Sequence, residues 1–124
     1  MLEEEPRQLY ADVHVGGHVL TARLVGPSFG EREGPVVTNM IAAKLADAAT
    51  PIKYVVLDLA DVEFINSSGL GSCVTMHNQA KAKKAVLVIH ALRKDLLPVF
   101  KMTRMDKLFK MAEDAKRLSK IIAK

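Results

Sequence analysis

The sequence predicts an α/β fold: a mixed β-sheet of about five strands with helices packed against it. Two short, continuous apolar runs, residues 54–57 and 85–89, are typical of strands buried inside a sheet. Between them, residues 67–81 have the apolar spacing of a helix. Strands that alternate with helices in this way favour a partly parallel sheet joined by right-handed crossovers.

The elements before the first buried strand are predicted to be a hairpin, a loop and a helix. Segments 9–15 and 18–25 are rich in apolar residues and flank a Gly-Gly pair, which predicts a β-hairpin. Residues 26–34 are rich in glycine and predict a loop. A helix is expected to begin at Pro35 and to end before Pro51, because apolar residues recur there at spacings of three and four.

The elements after the first buried strand continue the alternation. Residues 58–66 predict a connection that leads into the helix 67–81. After the second buried strand, the pattern predicts a short helix at 95–102, a short strand at 108–111 and a closing helix at 113–122. The predicted order is therefore β-β-α-β-α-β-α-β-α.

Length and composition predict one domain over residues 1–124, with residues 1–8 disordered. No apolar run approaches the roughly 20 residues that cross a bilayer, so we expect no membrane insertion. The first six residues, MLEEEP, are acidic and lack the features of a secretory signal. The single cysteine, Cys73, lies in a helical apolar pattern and is interpreted as a small buried residue. These features predict a cytoplasmic protein.

The charge is divided unevenly along the chain. Residues 1–80 contain five Lys and Arg against ten Asp and Glu, a net charge of −5, whereas residues 81–124 have a net charge of +9. A basic segment can bind nucleic acid, but proteins that bind single strands usually stack the bases on aromatic side chains. The chain has no Trp, two Tyr and four Phe. We therefore expect an acidic protein partner and no nucleic-acid partner.

The sequence offers no arrangement of residues for catalysis or metal binding. The four histidines, His14, His18, His77 and His90, lack the spacing of metal ligands, and we expect no metal and no cofactor. Residues 65–69 read Ile-Asn-Ser-Ser-Gly and fail the nucleophile-elbow pattern Gly-x-Ser-x-Gly at its first glycine. The protein is predicted not to be an enzyme.

The most informative segment lies where the connection 58–66 meets the helix 67–81, and its sequence is Asn66-Ser67-Ser68-Gly69-Leu70-Gly71. A serine at a helix start can cap free backbone N–H groups. The same N–H groups and the helix dipole favour an anion. A serine in this place is therefore suited to carry a phosphate, which adds about −1.5 to −2 charges at neutral pH.

Residues 55–71, VVLDLADVEFINSSGLG, resemble the signature of the STAS family, the fold of sporulation and stress-response anti-sigma factor antagonists. The resemblance continues into LLPVF at 96–100 and MDKLF at 105–109. It implies that Ser67 is the phosphorylation site, with Ser68 as the alternate, and that residues 66–71 form the partner-binding switch loop.

The same resemblance implies two protein partners and a mode of action. An ATP-bound anti-sigma factor serine kinase would be sequestered by the unmodified protein and released after it phosphorylates the serine. A serine phosphatase would reset the switch.

Two features differ from the family pattern. Asn66 stands where the family commonly has Asp, and the loop 26–34 is longer than usual, with Glu31 and Glu33 as candidates for its acidic residue. Asn66 favours an alternative in which the module is never phosphorylated and acts as a scaffold or as part of a transport system. A further alternative is a small serine hydrolase that uses Ser67, against which the lack of a placed base argues.

Overall fold

The computed structural model describes residues 10–123 and contains twelve helices and strands. In chain order they are β1 (Ala11–Gly16), β2 (Val19–Leu24), β3 (Ser28–Phe29), α1 (Glu33–Asp47), β4 (Tyr54–Asp58), β5 (Phe64–Ile65), α2 (Ser67–Ala82), β6 (Val86–His90), α3 (Leu97–Met102), α4 (Met105–Leu108), β7 (Lys110–Ala112) and α5 (Ala115–Ile122). The segment 1–8, predicted to be disordered, and Leu9, the predicted start of β1, lie outside the described residues.

The main sheet has five strands in the order β1-β2-β4-β6-β7. β1 pairs with β2 antiparallel, and every later pair is parallel. The predicted fold class, a mixed five-stranded sheet with helices packed against it, is confirmed. The chain segment that connects each pair of parallel neighbours contains at least one helix, as expected for the predicted crossover connections.

The hairpin forms one residue later than the Gly-Gly pair suggests. Gly16 belongs to β1 and pairs with Val19, so the turn consists of Gly17 and His18. Gly17 has a φ of +59°, a left-handed conformation that favours glycine. The His18 ring shares a hydrogen bond of 3.0 Å with the Pro51 carbonyl, which ties the turn to the segment before β4.

Helices cover both faces of the sheet, but unequally. On one face, α1 and α2 bury a large core, to which β2 and β4 contribute alternate residues such as Leu20, Val55 and Leu57. On the opposite face, Ile121 of α5 packs with Val56 and its neighbours in a smaller core. β4 is therefore covered on both faces, which explains why its sequence is a continuous apolar run.

Two predicted loops pair with each other instead of remaining irregular. β3 lies in the loop predicted at 26–34, β5 lies in the connection predicted at 58–66, and the two form a parallel two-stranded sheet. α1 begins at Glu33, two residues before the predicted start, and Pro35 is tolerated because it falls in the first turn. These elements bring the start of α1 next to the start of α2.

In the carboxyl-terminal third, the structure differs from the prediction mainly in where the helices and strands begin and end. The helix predicted at 95–102 begins two residues later, as α3, and the short α4 follows it. The predicted strand at 108–111 is shifted by one to two residues, to β7. The last helix begins at Ala115 because the Asp114 carboxylate caps it, accepting a hydrogen bond of 2.8 Å from the backbone N–H of Arg117.

Within residues 10–123, every helix is too short or too polar to cross a bilayer.

Cys73 is fully buried, as expected. Burial raises the pKa of its thiol to about 12. Because the thiolate is the reactive form, the native protein should react with an aromatic disulfide reagent far more slowly than the protein in denaturant does. Absorbance of the released thiolate measures both rates. Rapid stoichiometric labelling in native buffer would contradict the placement of Cys73.

Candidate functional site

Asn66, and not a serine, caps helix α2. Its side-chain Oδ1 accepts a hydrogen bond of 2.9 Å from the backbone N–H of Gly69, three residues into the helix. Ser67 and Ser68 occupy the first two helical positions, and both are exposed to solvent. A serine could also have capped this helix, but Asn is an equally good cap and stands one residue earlier. The serine hydroxyls are thereby left free of the capping role.

The amide of Asn66 also binds a residue far away in the sequence. Its Nδ2 donates a hydrogen bond of 3.0 Å to the Glu31 carboxylate, in the loop between β3 and α1. The backbone N–H of Glu31 and the Asn66 amide, in that order, lower the pKa of the Glu31 carboxyl. Of the two acidic candidates in the loop, Glu31 therefore contacts the site.

Glu33, the second acidic candidate, holds the same loop in shape. Its carboxylate accepts a hydrogen bond of 2.9 Å from the backbone N–H of Gly30, and the backbone N–H of Gly34 donates to the Gly30 carbonyl at 2.8 Å. The loop therefore folds back on itself at the first turn of α1. Glu33 has a structural role and presents Glu31 toward Asn66.

Helix α2 lies against β3 more closely than most side chains permit. A Cβ atom built on Gly69 would overlap the Phe29 carbonyl oxygen and would lie 2.9 Å from a side-chain carbon of Ile65. A Cβ atom on Gly71, two residues further along the helix, would meet nothing within 4 Å. The two glycines of the motif thus differ: Gly69 is required by packing, whereas Gly71 leaves the helix surface open.

The exposed side of α2 carries no charge over most of its length. Residues 64–80 include no Asp, Glu, Lys or Arg. Ser67, Gly71, Thr75 and Asn78 are exposed and recur at helical spacing, and we refer to these four residues as the α2 face. Phe64 lies just before the helix with 62% of its surface exposed. Sequence analysis missed Phe64 as a surface residue, although an aromatic residue two positions before the Asn-Ser-Ser motif was a usable signal.

A cleft of about 300 Å³ adjoins this surface. Its lining combines charged residues, Glu31 and Arg32, with the aromatic Phe64 and with Asn66. Ser67 and Ser68 do not line it. The cleft is therefore a neighbour of the serine pair, and an occupant would contact the Asn66–Glu31 hydrogen bond directly.

Three of the four histidines, His18, His77 and His90, have structural partners, whereas His14 is exposed on β1. The His77 ring packs against Phe109, with 5.7 Å between ring centroids, and the His90 ring shares a hydrogen bond of 3.0 Å with the Ala112 carbonyl. Among the hydrogen bonds of residues 10–123, none joins the hydroxyl of Ser67 or Ser68 to a histidine or a carboxylate. The same residues contain no group of three or more His, Cys, Asp or Glu that could hold a metal ion.

Comparison with known proteins gives one family and several similar structures. A family model described as the STAS domain matches residues 10–117. An anti-sigma factor antagonist from Mycobacterium paratuberculosis is 19% identical, with a TM-score of 0.77 over 98% of this chain and 100% of that one. The phosphorylated form of SpoIIAA from Bacillus is 12% identical, with a TM-score of 0.66 over 90% of this chain and 98% of that one.

A similar structure is also found inside a much larger protein. The murine anion transporter Slc26a9 is 10% identical, with a TM-score of 0.68 over 81% of this chain and 17% of the transporter. At these identities the three structures share the fold with this chain, and the fold occurs both alone and as one part of a transporter.

The two glycines of the motif should respond to alanine in opposite directions. Gly69→Ala should lower the free energy of unfolding by about 1–3 kcal/mol, because its Cβ overlaps a backbone carbonyl. Gly71→Ala, the matched control, should raise it by about 0.5–1 kcal/mol, because alanine favours helix and the site is open. Chemical denaturation measures both values. Equal effects at the two positions would contradict the close contact between α2 and β3.

The Asn66–Glu31 hydrogen bond predicts a coupling between these two residues. Asn66→Asp keeps the cap but places a second carboxylate against Glu31, so it should lower stability at pH 7. When Glu31→Gln is also present, Asn66→Asp should lower the free energy of unfolding by less, because the glutamine amide can donate a hydrogen bond to the new carboxylate.

A double-mutant cycle at pH 7 and in acid measures this coupling. Any attraction between Asp and the helix N-terminus is common to both backgrounds and cancels in the cycle. The pKa of Glu31 is lowered, so its hydrogen bond stabilises the fold above the unfolded pKa and is lost as pH falls through the folded pKa. The coupling should therefore shrink in acid, and a cycle with no coupling at pH 7 would refute the pair.

Proposed function

This chain belongs to the STAS domain family, and we propose that it is an anti-sigma factor antagonist switched off by phosphorylation of Ser67. Unmodified, it sequesters an ATP-bound anti-sigma factor serine kinase, and phosphorylation by that kinase releases it. The observation that carries the proposal is the placement of Ser67. It is exposed at the first position of α2, directly after the Asn66 cap and at the start of the uncharged α2 face.

A phosphate on Ser67 suits the domain itself. The first N–H groups of a helix have no partner within the helix, and the positive end of its dipole lies at the same place. The Asn66 side chain accepts the hydrogen bond of the Gly69 N–H. The N–H groups that precede Gly69 in the first turn of α2 remain to hold an anion. The fold therefore accommodates the added charge without rearranging.

The same phosphate disfavours a docked partner. A partner seated on the α2 face and Phe64 would contact uncharged groups, and about two negative charges introduced there have no counter-ion at the interface. Burying an unpaired charge costs several kcal/mol, more than most single contacts contribute. Release therefore follows from a local change of charge and needs no change of fold.

The remaining parts of the proposal follow from this mechanism. The serine is a substrate of the partner kinase, so the protein needs no catalytic group, metal or cofactor of its own. A serine phosphatase restores the binding form. Such partners operate in the cytoplasm, which is also where a chain with a single buried thiol is expected.

A second candidate function is a STAS module that is never phosphorylated and serves as a scaffold or as part of a transport system. Two observations favour it: Asn66 lies where the family commonly has Asp, and the anion transporter Slc26a9 contains the same fold. The hydrolase alternative would require ester hydrolysis by the isolated protein that is abolished by Ser67→Ala.

The switch itself is tested with the purified cognate kinase and ATP. We expect mass spectrometry to find one phosphate, on Ser67, in the wild type and in Ser68→Ala, and none in Ser67→Ala. Ser67→Ala should bind the kinase constitutively. Ser67→Asp should bind more weakly, though less so than the phosphorylated protein, because a carboxylate carries less charge and fewer oxygens.

Two results would decide against the proposal as stated. Phosphate on Ser68 alone would move the acceptor by one residue. No phosphate on the wild type, with phosphate on Asn66→Asp, would show that Asn66 has disabled the acceptor, and the scaffold function would then be preferred. Phe64→Ala provides a check of the docking surface, since it should weaken kinase binding while the exposed control Met102→Ala does not.

A further inference from the structure

A second cleft lies on the sheet face that α5 covers only in part. It has a volume of about 220 Å³ and is lined by Tyr54, Val86, Lys110, Arg117, Lys120 and Ile121. We refer to these six residues as the basic cleft. Its lining contains three cations and no acidic residue.

The floor of the basic cleft is apolar. Tyr54 and Val86 are register partners on adjacent strands, and Ile121 of α5 forms the adjoining wall. Val86 is 44% exposed although it lies in the middle strands of the sheet, because α5 packs over Val56 and Val88 and leaves Val86 uncovered. Lys110, Arg117 and Lys120 are all exposed around this floor.

The basic cleft and Ser67 lie at opposite ends and on opposite faces of the sheet. Tyr54, Val86 and Lys110 are the first residues of parallel strands β4, β6 and β7, whereas Ser67 follows the carboxyl end of β4. α2 packs on the face opposite α5. A molecule bound in the basic cleft would therefore leave the α2 face accessible.

We propose that the basic cleft is a second docking surface, for an acidic protein segment that inserts one apolar side chain between the cations. This inference does not depend on the proposed role of Ser67. Three cations around a small apolar floor match a segment in which carboxylates flank an apolar residue. The cleft is concave and has one half-buried tyrosine, which suits a protruding side chain better than a flat membrane or stacked bases.

The test uses the full chain and a short fluorescein-labelled peptide of glutamates with one central leucine. Fluorescence anisotropy should show binding that weakens as salt rises, because exposed charges are screened within about 10 Å at 0.1 M. Arg117→Gln/Lys120→Gln should weaken binding by about fivefold, given the modest strength of exposed ion pairs. The matched control, Lys101→Gln/Lys107→Gln, removes the same charge from α3 and α4 and should leave binding unchanged.

Two further variants test the floor and the independence from Ser67. Val86→Glu should abolish binding by repulsion, while Val86→Thr, which keeps the β-branched shape, should largely retain it. Ser67→Asp should bind the peptide as the wild type does. Circular dichroism and thermal unfolding confirm that each variant is folded.

The proposal is overturned if the wild type does not bind the peptide. It is also overturned if the control variant loses as much affinity as Arg117→Gln/Lys120→Gln, or if Ser67→Asp loses affinity for the peptide. Tighter binding of a single-stranded oligonucleotide or of phosphatidylserine vesicles through Arg117 and Lys120 would assign the surface to a different class of partner. If Glu3→Gln/Glu4→Gln/Glu5→Gln strengthens peptide binding, the acidic start of this chain competes for the cleft and the proposed partner is wrong.

Discussion

The contact between the start of α2 and β3 determines the geometry of the whole site. Gly69 allows the helix to lie directly against the Phe29 carbonyl, and Asn66 joins the helix to the loop that follows β3. These two contacts hold the start of α2 against β3 and its following loop. Ser67, the first residue of the helix, remains exposed to solvent. Such a fixed and exposed placement suits the proposed role of Ser67 as a residue that a partner kinase modifies.

Asn66 performs two tasks that an aspartate could not combine next to Glu31. Its Oδ1 caps the helix, and its Nδ2 donates to the Glu31 carboxylate. An aspartate would satisfy the first bond and turn the second into a repulsion. The neutral Asn66 is thus matched by the acidic Glu31, so that a carboxylate lies close to the serine pair.

The extent to which the sequence predicted the structure depended on the range of the interactions involved. Buried runs such as β4 and β6 were predictable because four or five consecutive apolar residues between polar flanks are typical of a strand inside a sheet. β3 and β5 were missed because two residues carry no periodicity, and their pairing joins segments about 35 residues apart, as the Asn66–Glu31 bond does. The sequence alone did not identify the cap of α2, because Asn66 and the adjacent Ser67 are both good capping residues.

The sheet itself keeps the two proposed surfaces electrostatically separate. β4 has five residues, so its first and last Cα atoms are about 13 Å apart along the strand, and the two surfaces also lie on opposite faces of the sheet. The Debye length at physiological ionic strength is about 8 Å, so a phosphate on Ser67 is strongly screened at Arg117 and Lys120. A charge that dominates an uncharged interface at one end can therefore leave a cationic interface at the other end nearly unaffected. In a fold with one main core, this separation would let a partner remain held in the basic cleft while the kinase is bound and released at the α2 face.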